Sequence, residues 1–283
     1  MFDRIVVPVD GSARSLEAVR AGALIAGDGG ARLDVVTVVG PHGDRAAEEE
    51  YLGAQLRSLG DLPGAPVAVA LEGDSAAPAL ARYVADLPRT LLVMSSNGRG
   101  RSAAVLGSVA EELLAAELGP IVIVGPNASA HALLSGDLLV ALDGSHASEH
   151  AIDVAAAWCA GRERRAWVLT VVTTAAGAQP DLDVSESAYV RRRAAQLQAR
   201  LGREVDYEVL HGGSPARSLV DYAEATHAGL IVMGTHGRTG LRRMAMGSVA
   251  ADVIRNAPCP VLVERLASAD DARADSERHE VRS

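Results

Sequence analysis

Gly234, Gly237, Gly247 and Ser248 stand in a G-x2-G-x9-G-S spacing that begins directly after the apolar run Ile231-Val232-Met233. Glycines let a backbone come close to an anion and adopt positive φ, and a helix opening at Ser248 and Val249 presents free N–H groups at the positive end of its dipole. Such a loop is a phosphate cradle that needs no lysine. An earlier apolar run ends in Leu142-Asp143-Gly144-Ser145. A carboxylate there is ill suited to phosphate but suits the hydroxyls of a ribose. Residues at the ends of two strands, the second closing on Met233-Gly234, thus point to a nucleotide lying across a sheet edge. The plainer alternative is that the glycines only make turns and Asp143 caps the following helix. Arg238, Arg242 and Arg243, inside the loop, either screen phosphate charge or form an exposed loop.

The composition narrows the chemistry. The chain has 283 residues, 48% hydrophobic and 22% charged, which suits one large globular domain or two ordinary ones. All 27 basic residues are arginine, against 36 acidic ones, for a net charge of −9. Without lysine there is no Walker A loop and no Schiff-base chemistry. The acidic balance argues against a nucleic-acid partner. Cys159 and Cys259 form no C-x-x-C pair, so neither a disulfide framework nor a cysteine zinc site is expected. No basic leader precedes the first strand, and no apolar run approaches the roughly 18 to 20 residues of a membrane span. The expectation is a cytoplasmic protein with no membrane partner.

The chain is written twice. V-P-V-D-G-S-A-R-S-L-E-A (7–18) returns as V-A-L-D-G-S-H-A-S-E-H-A (140–151), and V-L-G-S-V-A (105–110) as A-M-G-S-V-A (245–250). A repeat this long is a duplication of whole domains, since each copy can bury its own core. Residues 1–126 and 137–266 are the expected domains, 127–136 the linker and 267–283 a disordered tail poor in large apolar residues. In the first copy the apolar runs Ile5 to Val9, Leu33 to Val39, Val67 to Leu71, Leu91 to Met94 and Ile121 to Val124 are continuous, not alternating. That pattern marks strands buried on both faces of a parallel sheet. Ser75 and Ser214-Pro215 fit helix starts, and the alanine-rich 151–157 fits a helix interior. Each copy is therefore expected to be a doubly wound, Rossmann-like α/β domain: a five-stranded parallel sheet covered by helices, with its ligand crevice at the strands' carboxyl ends.

On these residues both copies resemble the universal stress protein family nearly end to end. The carriers are the glycine loop after Ile231-Val232-Met233, the Asp-Gly-Ser after the first strand, and Cys259-Pro260-Val261 leading the last one. The resemblance implies a fold of the adenine nucleotide alpha hydrolase type. It also implies ATP as cofactor, with Mg²⁺ as a companion, and nucleotide-dependent stress signalling toward an unidentified protein partner. By position, Asp143 and Val171 would meet the adenosine end, and Gly234, Gly237, Gly247, Ser248 and Val249 the ribose and phosphates. The copy-one counterparts are Pro8, Asp10 and Val38, then Gly98, Gly107, Ser108 and Val109. Copy one departs from the pattern: Ser95 replaces the first glycine, and eight residues, not nine, separate Gly98 from Gly107. Copy two is therefore expected to be the stronger site. The last strands, Ile121 to Val124 and Val261 to Glu264, are the implied interface of an intramolecular pseudo-dimer, and a homodimer is a further possibility. Slow ATP hydrolysis, autophosphorylation at Ser248, and a nucleotide-independent scaffold stay open as other classes of function.

Two patterns are expected to be decoys. His146-Ala147-Ser148-Glu149-His150 spells an inverzincin-like H-x-x-E-H without an evident third ligand, and copy one lacks it. The basic groups Arg191 to Arg193 and Arg162, Arg164 and Arg165 are read as solvated surface. Neither His236 nor Ser248 has a visible acid–base partner, and Cys159 reads as a small buried hydrophobe.

Overall fold

In the computed structural model, the described residues are 2–98, 106–131, 133–173, 181–235 and 246–264, with the side chains of 146, 147 and 181–184 excepted. The first copy runs β1 (Arg4–Pro8), α1 (Ala13–Gly29), β2 (Arg32–Val39), α2 (Arg45–Ser58), β3 (Val67–Glu72), α3 (Ala76–Ala85), β4 (Thr90–Ser95), α4 (Ser108–Ala115) and β5 (Ile121–Val124). The second runs β6 (Asp137–Ala141), α5 (His146–Glu149), α6 (Ala151–Cys159), β7 (Ala166–Thr173), α7 (Asp181–Leu201), β8 (Asp206–Gly212), α8 (Pro215–Ala225), β9 (Ala228–Gly234), α9 (Ser248–Asn256) and β10 (Val261–Glu264).

Local chemistry sets the helix ends. Ser12 accepts the Ser15 amide at 3.2 Å to start α1, and Gly30, at φ 63°, closes it in the left-handed region. Ser214 caps α8 with Pro215 in its first turn, whereas Ser75 starts α3 without a side-chain bond.

Each copy's strands pair in parallel, in the orders β3-β2-β1-β4-β5 and β8-β7-β6-β9-β10. β5 and β10 then pair antiparallel, Val261 with Ile123 and Val263 with Ile121, joining all ten strands into one sheet. Alternate strand residues feed two cores, as strands buried on both faces must. One core is covered by α1, α2, α6 and α7, the other by α3, α4, α8 and α9, and each runs through both copies. Because the copies meet antiparallel, the carboxyl ends of their strands lie at opposite edges of the sheet.

The chain between the copies is anchored. Ala130 and Leu133 are buried, Ser129 N donates to Pro258 O at 2.9 Å, and Asn127 Nδ2 donates to Arg255 O at 3.4 Å. Gly125 passes so close to α9 that a Cβ there would overlap the Ile254 carbonyl oxygen.

At the amino end of the first copy's strands, the fully buried Asp34 of β2 accepts from Arg4, from Arg32 Nε at 2.7 Å and from Tyr83 OH at 2.9 Å. Burial works to raise its pKa, but the three donors overcome burial and hold it below the ordinary carboxylate value.

Candidate functional site

β1 ends at Pro8, and the chain turns through Val9, Asp10 and Gly11 into α1. Gly11 has φ 75°, and its copy-two counterpart Gly144 has φ 80°, so both turns use a conformation that favours glycine. Asp10 Oδ1 accepts the Ser12 amide at 3.0 Å, which orients the carboxylate at the carboxyl edge of the sheet. Asp143 repeats this, accepting from Ser145 N at 3.0 Å and Ser145 Oγ at 2.6 Å. Ser12 and Ser145, not the aspartates, are the helix N-caps.

Across the crevice, β4 ends at Ser95 and the chain continues through the buried Ser96 and Asn97 to Gly98. Gly98 abuts Asp10, and a Cβ on it would overlap Asp10 Oδ2. Gly107 N donates to Ser96 O at 2.8 Å, bringing the start of α4 back to the strand end. Gly107 is the N-cap of α4 and offers no capping side chain, so the amides of Ser108, Val109 and Ala110 open the helix toward the crevice. A Cβ on Gly107 would stand 3.4 Å from Ser96 O, in ordinary contact.

These residues enclose a cavity of about 510 Å³. All seven copy-one residues singled out from sequence line it: Pro8, Asp10, Val38, Gly98, Gly107, Ser108 and Val109. Val36, Leu80 and Met94 supply an apolar wall, and Glu48, Tyr51 and Gln55 of α2 form a side that the sequence reading missed. Residues 48, 51 and 55 share one helix face beside the buried Leu52, which also lines the cavity, and only the packing of α2 turns that face to the crevice. Gln55 Nε2 donates to Tyr51 OH at 3.1 Å, and the Tyr51 side chain is largely exposed.

The described residues of copy two repeat part of this arrangement. Gly247 N donates to Thr235 O at 2.7 Å, and Gly247 is the uncapped N-cap of α9, with Ser248 and Val249 in its first turn. Val171 lies on β7, and Met233 and Gly234 end β9, where Gly234 pairs with Glu264. Gly237 and Arg238 lie outside the described residues, as do His236, Arg242 and Arg243.

His150 of the H-x-x-E-H run falls between α5 and α6. Its Nδ1 is 3.2 Å from Asp153 and its Nε2 3.1 Å from Glu264. Among the described residues no cluster of histidine, cysteine and carboxylates has the makings of a metal site. Burial raises the Glu264 pKa, with His150 opposing it. The basic groups divide. Arg165 is exposed against Asp206, and Arg193 pairs with Glu149. Arg164 is buried, however, and the Arg162 side chain is only 9% exposed, so the expected solvated face is corrected at these two positions. They pack beneath Leu133 and beside Asp28, contacts that long-range folding alone creates. Both cysteines are buried thiols, as expected for Cys159.

The architecture is one α/β fold built twice into a single sheet. The profile of the Universal stress protein family matches residues 1–124 and again 136–265, and the chain belongs to that family. A universal stress protein of Mycolicibacterium smegmatis is 29% identical over 295 residues, spanning 92% of this chain and 96% of that one. One from Methanocaldococcus jannaschii is 47% identical over 72 residues, covering 25% of this chain and 42% of the relative's own length. The crystal structure of a universal stress protein from Archaeoglobus fulgidus superposes with a TM-score of 0.70 at 21% identity, covering 93% of this chain and 98% of that one, a likeness of fold. No helix among the described residues is long and apolar enough to cross a membrane.

Proposed function

We propose that this chain binds ATP and acts in nucleotide-dependent stress signalling, with its two copies, 1–126 and 137–266, packed as an intramolecular pseudo-dimer. The observation that carries the reading is the copy-one crevice, which gathers an apolar slot, an oriented carboxylate and an uncapped helix start around one cavity of about 510 Å³. That volume lies within the range of small-molecule pockets, roughly 300 to 1,000 Å³.

The residues divide the ligand by chemistry. Pro8, Val36, Val38, Leu80 and Met94 offer the apolar surface that a purine base buries, with Tyr51 at the open side. Asp10 suits the ribose hydroxyls. Gly98, Gly107, Ser108 and Val109 present backbone to the phosphates, with the uncapped start of the helix at Ser108 supplying free N–H groups. Mg²⁺ accompanying the phosphates would offset their charge. In copy two the same roles fall to Asp143, Val171, Met233, Gly234, Gly237, Arg238, Gly247, Ser248 and Val249. Copy two, with its full glycine spacing and arginines in the loop, is the tighter site. The occupied crevices alter the loop surface offered to a protein partner in the cytoplasm.

The test is to denature freshly purified protein and chromatograph what is released, for the wild type and for full-length Gly98→Asp and Gly237→Asp. Adenine nucleotide near two per chain, falling in each variant and further in Gly237→Asp, supports the reading. No nucleotide and no calorimetric response to added ATP overturns it.

A further inference from the structure

Three arginines gather where the two copies meet, with one carboxylate between them. Arg164 is 6% exposed; its Nη2 donates to Leu133 O, but its Nε and Nη1 are buried without a partner. Nη2 of Arg203, just beyond α7, is likewise buried and unpartnered. Arg162 donates Nε to Asp28 and Nη1 to the Trp158 carbonyl at the end of α6, and its guanidinium sits 5.1 Å from the Trp158 ring centroid. Trp158 Nε1 is a further buried donor without an acceptor. Among the described residues Asp28 is the one carboxylate within ion-pair distance of this group.

The Cys159 thiol does not supply the missing charge. It feels all three guanidiniums and a hydrogen bond from Arg203, yet burial outweighs them and pushes its pKa up, so it stays protonated. Arginine in turn does not give up its proton at physiological pH. Buried donors around unmatched cations are unfavourable unless something accepts from them.

We propose that this cluster is a binding site for one small inorganic anion, of halide or phosphate size, held by the unpartnered donors of Arg164 and Arg203. Enclosure limits the ligand to such a size, since Arg164 and Arg162 are both almost wholly covered. Arginine forks suit an oxyanion as well as a halide. Leu133 comes from the connector, Asp28 from α1 of the first copy and Cys159 from α6 of the second. The bound anion therefore clamps the junction, independently of nucleotide in either crevice.

The experiment follows thermal unfolding of the full chain, first dialysed into a gluconate buffer, as chloride or phosphate replaces gluconate at constant ionic strength. The expected result is a saturable rise in midpoint of roughly 2 to 4 °C. Chloride alone raising it identifies a halide site, and phosphate alone an oxyanion site. The rise should vanish in Arg203→Gln and in Arg164→Met. Because phosphate can also enter the crevices, only the difference between wild type and these variants counts. If Arg164→Met does not fold, Arg203→Gln, at a partly exposed position, together with ³⁵Cl line broadening on wild-type protein, decides the matter. Equal midpoints in all three salts, or a rise retained in Arg203→Gln, overturns the proposal.

Discussion

Gly98 and Asp10, from opposite sides of the copy-one crevice, touch so closely that the smallest side chain at Gly98 would displace the Asp10 carboxylate. The contact lets the strand-end loop lie flat against the turn after β1, leaving the space above them open. Gly98→Ala should therefore weaken nucleotide binding by copy one about tenfold, since a displaced hydrogen-bonding group costs about 1.4 kcal/mol. Calorimetric titration of the full-length variant should show one class of site weakened while the other is unchanged. Unaltered binding in both classes would remove Asp10 from the ligand's contacts.

A harsher effect is expected at the junction. Gly125 faces a backbone carbonyl, Ile254 O, which cannot swing aside as a side chain can. Gly125→Ala should destabilise the chain by about 2 to 3 kcal/mol through overpacking, measured by urea unfolding. A cost under about 0.5 kcal/mol would show that α9 moves freely relative to β5.

Asp34 links stability to acid. Its folded pKa lies below its unfolded value, so its stabilising contribution is present above the ordinary carboxylate range and is lost as pH falls through the depressed folded value. Asp34→Asn should unfold more readily at pH 7 and show a flatter loss of stability on acidification. Asp34 is buried but Arg32 is half exposed and Arg4 partly so, and its removal therefore strands no buried charge; a neutral-pH loss of about 1 to 3 kcal/mol is expected, the larger of the two effects. Denaturant midpoints from pH 7 to pH 3 test both features.

Thiol chemistry reports on the cores. Burial pushes the Cys259 pKa up to about 12 and raises that of Cys159 as well. At pH 8 the folded protein should react with a thiol reagent at a rate set by unfolding, and both cysteines should label at once in denaturant. Rapid labelling of one thiol in the native state would mean that its core opens locally.

Much of this was readable because it was written twice. The five apolar runs of copy one agree with β1 to β5 to within a residue at each end, since strands buried on both faces need continuous apolar residues. Asp10 and Gly98 were found because each has a twin at the same distance from a strand end, and Gly107 because its twin, one residue further along, likewise precedes a Ser-Val-Ala helix start. Glu48, Tyr51 and Gln55 were not, because their place in the crevice depends on how α2 is rotated over β3, and copy one offers no glycine signature there. Arg164 misled for a related reason. A run of arginines in an acidic chain reads as solvated, and only contacts distant in sequence, the Leu133 carbonyl on Arg164 and Asp28 on its neighbour Arg162, take the pair out of water.

The antiparallel junction of β5 and β10 also settles how the two crevices sense each other's charge. The switch points beside β1 and β4 and beside β9 and β6 are four strand spacings apart in the sheet order, about 19 Å across the sheet, and open at opposite edges. That exceeds a Debye length of about 8 Å at physiological salt. Two triphosphates bound at once would thus repel each other negligibly, and filling one crevice leaves the Coulomb energy of filling the other nearly unchanged. Whatever cooperativity the chain has must be mechanical, transmitted through the β5–β10 junction, the two cores the copies share and the Arg162–Asp28 pair.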